Sequence, residues 1–246
     1  MGMPEIPSNL QERLRAAKSV AVLSGSGISA ESGVPTFRDA QTGMWARYSP
    51  EDLATPQAFQ RNPRMVWEWY QWRRQLVLEA QPNSGHLAIA AMEGRFAGFR
   101  LVTQNVDGLH QRAGSSRVLE LHGNIFRNLC FREGIELDEL VESIEPPPRC
   151  PHCGGPVRPG VVWFGESLSG KVFEESLRAC TDADVLLVVG TSGLVHPAAG
   201  LPAHAKASGT FVVEVNPEST PISGLADVVL RDKAGPALTS LLEALP

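Results

Sequence analysis

Several groups of residues in this chain combine types and spacings that could do chemistry. The first is Gly25-Ser-Gly27-Ile-Ser-Ala30, a G-x-G-x-x-A turn that follows the apolar run Val20–Leu23. Glycines in such a turn let the backbone approach a pyrophosphate, and the N–H groups opening the next helix face the anion. A plain tight strand-to-helix turn has the same pattern. The second group is Gln104-Asn-Val-Asp107 with Gly-Leu-His110, whose amide and carboxylate suit a polar substrate or the cap of a helix. His122, just before Gly123, is a candidate general base because imidazole titrates near neutrality; a lone histidine can equally be structural. Gly190-Thr-Ser-Gly193 is small, rich in donors and fits a phosphate-facing turn or an ordinary loop.

These groups need elements to hold them. Short, β-branched apolar runs predict strands at Val20–Leu23, Arg100–Thr103, Val118–Leu121, Val185–Val189, Phe211–Val215 and Val228–Leu230, the pattern of strands covered on both faces. Helical patterns lie between them at Leu10–Lys18, Ser84–Arg95, Gly170–Thr181, Pro197–Ala207 and Gly235–Leu245. The alternation predicts an α/β fold: a Rossmann-like parallel sheet with helices on both faces. Ligands bind such sheets at the carboxyl ends of the strands, where Gly25, Gln104, Gly190 and Asn216 all fall. Two segments break the alternation and predict a smaller domain: a tryptophan-rich helical insert at about 50–80, and a cysteine-bearing segment at about 126–159. The larger domain then comprises about 10–49, 81–125 and 160–246.

The 246 residues, 43% of them hydrophobic, suffice for one large domain with a small insert. A net charge of −5 argues against nucleic-acid binding as the main task, which calls for a basic face. The first residues lack a signal-peptide core, and the longest apolar run, Val185–Val189, is far too short to span a bilayer. A cytoplasmic protein without membrane attachment is expected. Four cysteines, two of them in Cys150-Pro-His-Cys153, fit a reducing compartment and a metal site better than a disulfide framework. A nicotinamide dehydrogenase should offer a second strand with an acidic end roughly 20 residues after the glycine turn. Here that interval contains Val34-Pro-Thr36-Phe37-Arg38-Asp39 and runs on to Trp45, a breaker-rich loop suited to a lid rather than a strand.

Taken in order and at these separations, the four motifs resemble those of the sirtuins, NAD-dependent protein-lysine deacylases, over nearly the whole chain. The resemblance implies NAD as co-substrate and products of nicotinamide, free lysine and O-acyl-ADP-ribose. It implies His122 as the base, with Asn105 and Asp107 at the nicotinamide and ribose end and Gln104 at the ribose. The cofactor set it implies is Gly25, Ser26, Gly27, Ile28, Ser29, Ala30 and Glu31, then Thr36, Phe37, Arg38, Asp39 and Trp45. Val106, Gly190, Thr191 and Ser192 complete the cleft, and Asn216, Pro217, Glu218 and Ala234 serve the adenosine. Val162, Phe164, Gly165 and Glu166 resemble the segment that pairs with an acyl-lysine peptide as an added strand. Tyr70 and Arg73, three apart on one helical face, match the class III pair that binds an acyl carboxylate, so succinyl and malonyl groups are expected substrates beside acetyl. By themselves they read as an amphipathic helix with a snorkelling arginine.

The chain departs from the family in two places. The structural zinc site of sirtuins takes two C-x-x-C pairs, whereas the first pair here reads Cys130-Phe-Arg-Glu133. Cys130, Cys150 and Cys153 with Glu133, water or another acceptor complete a tetrahedral site; a metal-free remnant is the alternative. Ser26 stands where alanine is usual. Two rival readings share these residues: mono-ADP-ribosyl transfer, separated only by its products, and a non-catalytic NAD or ADP-ribose sensor, which has no need of His122, Asn105 and Asp107.

Overall fold

The computed structural model describes residues 5–35, 48–49, 53–141 and 145–245. Its main sheet has six parallel strands: β1 (Val20–Ser24), β2 (Arg100–Thr103), β3 (Val118–Glu120), β6 (Val185–Val189), β7 (Phe211–Val215) and β8 (Val228–Leu230). They lie in the order β3-β2-β1-β6-β7-β8, with Leu23 opposite both Val102 and Val188. Taken as first to sixth along the chain, that is the 3-2-1-4-5-6 order of doubly wound sheets, which reverses between β1 and β6. The six predicted strands are all present.

Side chains along a strand alternate between faces, and β1 and β6 use both. Val20, Val22, Val185, Leu187 and Val189 pack with α1 (Ser8–Ala16), α5 (Ser84–Glu93) and α9 (Ala234–Glu243). Ala21, Leu23, Leu186 and Val188 pack on the other side with α7 (Gly170–Thr181) and α8 (Leu201–Ala207). Each buried Val or Leu contributes about 1.5–3 kcal/mol relative to exposure, so these two layers hold the sheet. The helix expected from Pro197 begins instead as a 3-10 turn, Ala198–Gly200, before α8.

The smaller unit has its own core. Thr55 caps α3 (Pro56–Arg61), and Asn62 caps α4 (Pro63–Glu79) by accepting from Met65 N at 3.1 Å. Proline opens both helices, as its fixed φ and missing N–H allow. Phe59, Val66, Trp69 and Tyr70 from these helices pack with Ile125, Val161 and Trp163, while Trp72 packs on the rim. Ile125 and Val161 belong to an antiparallel pair, β4 (Gly123–Cys130) and β5 (Val157–Val161). Sequence patterning did not disclose this pair: Asn124, Arg127, Asn128 and Pro159 break the alternation, and the register shifts between Asn124 and Asn128. Trp67 joins Cys130, Cys150, Leu137 and Val157 in a neighbouring cluster. No helix among the described residues is long and apolar enough to cross a membrane.

At the sheet reversal the turns after β1 and β6 touch through backbone. Gly25 N donates to Val189 O at 2.9 Å, and Gly27 N, within α2 (Ser26–Ala30), donates to Gly190 O at 2.8 Å. A Cβ on Gly27 would lie 2.7 Å from Gly190 O, and one on Gly190, at φ +59°, would lie 2.6 Å from Ile28 N. Glycine is therefore required here for two backbones to meet, whatever anion they later bind. Gly190→Ala is expected to lower unfolding stability by roughly 2 kcal/mol or more, through backbone strain and overpacking. The comparison is Gly170→Ala, where a Cβ meets nothing within 4 Å; urea titration of the two variants checks the contrast.

Candidate active site

Four strand ends supply the cleft, and hydrogen bonds lock them together. Gln104 N donates to Ser24 O, and Gln104 Nε2 donates to Thr191 Oγ1 at 2.9 Å. Asn216 Nδ2 donates to Thr191 O at 2.9 Å, so the ends of β2, β6 and β7 share one threonine. Ser29 Oγ, in α2, donates to Asp107 Oδ2 at 2.7 Å and accepts from Asn105 Nδ2 at 3.0 Å. Asp107 Oδ1 accepts from Leu109 N, which opens α6 (Leu109–Arg112), so this carboxylate caps a helix and faces the cleft network together. Burial pushes the Asp107 carboxyl upward, opposed by Leu109 N–H, the Ser29 hydroxyl and the charge of Arg73. Val106 is half-buried, and its carbonyl accepts from Ile125 N at 2.8 Å, tying this motif to β4.

The His122 ring is half-buried, with Nδ1 3.0 Å from Gln104 O. A carbonyl can only accept, so Nδ1 carries the proton and Nε2 keeps the lone pair a base requires. Burial lowers the His122 pKa and so favours the neutral ring at physiological pH, while the Gln104 bond opposes the shift. Val162 N donates to His122 O at 2.8 Å, which anchors β5's continuation beside the imidazole. Gly123, at φ +78°, permits this: a Cβ there would stand 2.2 Å from Gly160 O.

The acyl and peptide candidates gather on the opposite wall. Tyr70 is buried, its hydroxyl accepts from Trp163 Nε1 at 2.9 Å, and burial pushes it up to about 12. Arg73 is 8% exposed, its guanidinium 5.2 Å above the Trp69 ring. Burial lowers its pKa, and the charges it senses in opposition are Tyr70 and Asp107. Arg73 of the pair expected from sequence thus lies within electrostatic influence of Asp107. Phe164 is 40% exposed and Gly165 is exposed, with Phe164 N donating to Ala54 O. Glu166 is half-buried. Its carboxylate accepts from Arg158 Nη1 at 2.5 Å, Arg158 Nη2 at 2.9 Å and Trp163 N at 2.8 Å, so it holds the segment's shape.

Other expected cofactor residues divide similarly. Ser26 is exposed at the start of α2, Ile28 and Ser29 are buried, Ala30 is exposed and Ser192 is half-buried. Glu31 is exposed, and its Oε1 accepts from Gly235 N at 2.9 Å, which ties the end of α2 to the start of α9 beside Ala234. Glu218 N donates to Asn216 Oδ1, closing the Asn216-Pro217-Glu218 turn. Thr36, Phe37, Arg38, Asp39 and Trp45 lie outside the described residues. Sequence reasoning passed over Ser24, whose buried hydroxyl donates to Thr103 Oγ1 and meets His110 Nε2, both at 2.8 Å. It also passed over Glu214, a buried charge inside the apolar run of β7.

Cys130, Glu133, Cys150 and Cys153 bring their ligand atoms within 4.8 Å of one another. The two halves are built alike. Gly134 N bonds Cys130 O and Gly154 N bonds Cys150 O, each at 2.9 Å. Glu133 therefore occupies the turn position that Cys153 occupies in the other half, and Cys150 Sγ lies 3.6 Å from Glu133 Oε2. Zinc accepts thiolate and carboxylate donors at about 2.0–2.3 Å in tetrahedral sites, and this set fits it. His152 is exposed and outside the cluster; Cys180 is buried among apolar neighbours, where burial pushes its thiol up to about 12.

The Sir2 family model matches residues 25–197. An NAD-dependent protein deacylase of Aquifex aeolicus is 53% identical over 92% of this chain and 95% of its own length. One from Ralstonia nicotianae is 54% identical over 96% of both. Among solved structures, a Sir2 homolog–NAD complex has a TM-score of 0.89 and 43% identity, covering 99% of this chain and 95% of that one. A Sir2 variant with deacetylated p53 peptide and 3′-O-acetyl-ADP-ribose has a TM-score of 0.81 and 30% identity, covering 97% and 98%.

Two measurements test this geometry. Burial depresses His86 to about 4 and His110 to about 3, so the unfolded state binds more protons below the ordinary histidine value. Stability is then complete above pH 6.5 and falls as pH drops toward 3; urea midpoints across that range should decline, less steeply in His86→Gln. For the metal, purified protein should carry about one zinc per chain. Chelation should lower its melting temperature, and Glu133→Cys should tighten zinc in competition with a chromophoric chelator.

Proposed function

The chain belongs to the Sir2 family, and we propose that it is an NAD-dependent protein-lysine deacylase favouring short acyl groups that end in a carboxylate. Succinyl and malonyl are the favoured groups, with acetyl also removed. The observation that carries this preference is Arg73: a guanidinium in the interior, beside Tyr70 and within electrostatic reach of Asp107. The fork of arginine matches a carboxylate bidentately. Tyr70 accepts from Trp163 and so retains its own hydroxyl proton as a further donor. An acyl carboxylate entering here would offset the burial cost of the cation, which a neutral acetyl group cannot do.

NAD supplies an activated sugar, whose bond to nicotinamide breaks as the acyl oxygen takes its place. The protein's part is positioning and proton transfer. Asn105 and Asp107, locked through Ser29, hold the nicotinamide and ribose end. His122 Nε2 takes the proton of a ribose hydroxyl while Gln104 O holds the imidazole in the basic tautomer. The acyl-lysine segment lies along Val162–Gly165, adding a strand beside β5's continuation so that backbone pairing supplies affinity with little sequence preference. That hydroxyl takes the acyl group as its bond to the lysine nitrogen breaks, and with one water consumed the products are lysine, nicotinamide and O-acyl-ADP-ribose. The names of the Aquifex and Ralstonia relatives and the O-acetyl-ADP-ribose in the structural neighbour support the same reaction.

Nicotinamide release from NAD, measured with matched succinyl-lysine and acetyl-lysine peptides, tests the reading. Wild type should favour succinyl in kcat/KM, and Arg73→Met should lose at least about tenfold on succinyl while sparing acetyl. Acetyl turnover without a succinyl preference would overturn the acyl assignment and leave the deacylase. NAD binding without turnover of either peptide would overturn the deacylase.

A further inference from the structure

The loops assigned to adenosine do not hold themselves. Asn216–Glu218 follows β7, Asp232–Ala234 follows β8, and one buried charge lies beneath both. Glu214, in the apolar run Phe-Val-Val-Glu-Val of β7, is 1% exposed. A carboxylate in that position must find donors, because desolvating an unpaired charge costs several kcal/mol. Its Oε2 accepts from Arg231 Nη1 at 3.1 Å and from Ser223 Oγ at 2.5 Å, and its Oε1 accepts from Thr220 Oγ1.

Arg231, directly after β8, distributes its donors outward from that anchor. Nη1 also reaches Glu218 O at 2.6 Å and Asn216 O at 3.3 Å, and Nη2 donates to Ser223 Oγ at 2.7 Å. One guanidinium thus binds both ends of the Asn216–Glu218 turn, the loop behind it and the strand below. The same loop presses on the phosphate-facing turn: a Cβ on Gly193 would lie 2.9 Å from Ile222 Cδ1. Asn216 Nδ2 completes the circuit through Thr191 O.

We propose that Arg231, anchored by Glu214, is a positioning residue for the adenosine half of NAD. It sets the turn after β7 against the loop after β8, and neither Arg231 nor Glu214 needs to touch the reacting atoms. The proposal rests on the reading of 216–218 and 232–234 as the adenosine site, and the test separates the two.

The experiment measures binding of NAD, ADP-ribose and nicotinamide by calorimetry, with steady-state kinetics, on wild type, Arg231→Met, Arg231→Lys and Asn216→Ala. Arg231→Met should weaken NAD and ADP-ribose roughly tenfold, about 1.4 kcal/mol. Its kcat at saturating NAD, its nicotinamide inhibition and its KM for acyl peptide should match wild type. Arg231→Lys, with one ammonium for several contacts, should recover part of the loss and keeps the test usable if the methionine variant fails to fold. ADP-ribose affinity within about twofold of wild type in Arg231→Met, with Asn216→Ala weakened, would overturn the clamp alone. Equal losses in kcat and peptide KM would also overturn it, as a general structural role. Unchanged ADP-ribose affinity in Asn216→Ala would overturn the adenosine placement and the clamp with it.

Discussion

The contact between two glycine turns at the reversal of the sheet is the constraint on which the cleft depends. Strands β1 and β6 run side by side with their helices on opposite faces, so the turns that leave them diverge and open a crevice. Gly25, Gly27 and Gly190 let those turns meet backbone to backbone before they part. Any side chain at Gly27 or Gly190 would push the turns apart and displace Ile28, Ser29 and Thr191, from which the rest of the polar site hangs.

From that contact the site grows by satisfying buried polar groups. Ser29 can bridge Asn105 and Asp107 because α2 starts where Gly27 allows. Thr191 can hold both Gln104 and Asn216 because Gly190 turns the chain at positive φ. In a low-dielectric interior each such bond is strong and each missing partner costly, which makes the arrangement rigid before a ligand arrives. His122 benefits from the same economy: one backbone carbonyl orients its ring and selects its tautomer. The smaller unit then adds its own wall, with Trp163 joining Tyr70 to the Val162–Glu166 segment and Arg158 bracing Glu166.

Two acidic residues show how position decides what a carboxylate does. Glu133 stands three residues after Cys130, as Cys153 does after Cys150, and its carboxylate gathers with three sulfurs in a set that could hold a metal ion. Glu214 has the same functional group, but it faces a guanidinium and two hydroxyls inside the sheet, so it organises loops. Glu31 and Glu166, both expected from the family resemblance to meet ligands, bind a helix start and a buried arginine. Neither outcome is encoded in the local sequence, because the partners, Gly235 and Arg158, are brought in by tertiary packing.

By itself the sequence determined the six-stranded parallel sheet, its helices, the helical insert and the strand ends that carry Gly25, Gln104, Gly190 and Asn216. These rest on local rules: β-branched runs, capping residues and glycine turns act within a few residues of themselves. The shared placement of His122, Asn105 and Asp107 was legible too, since motifs at the carboxyl ends of parallel strands must converge. Tertiary structure alone decided the β4–β5 pair, whose irregular pattern is rescued by packing on Trp163 and Phe59. It alone decided that Arg73 lies within electrostatic influence of Asp107, that Glu31 accepts from Gly235 N, that Glu166 pairs with Arg158, and that Arg231 binds Glu214 across the sheet edge. The physical reason is common to all of these: a charge or an irregular strand takes its meaning from the groups that neutralise or bury it, and only the folded chain brings those groups together.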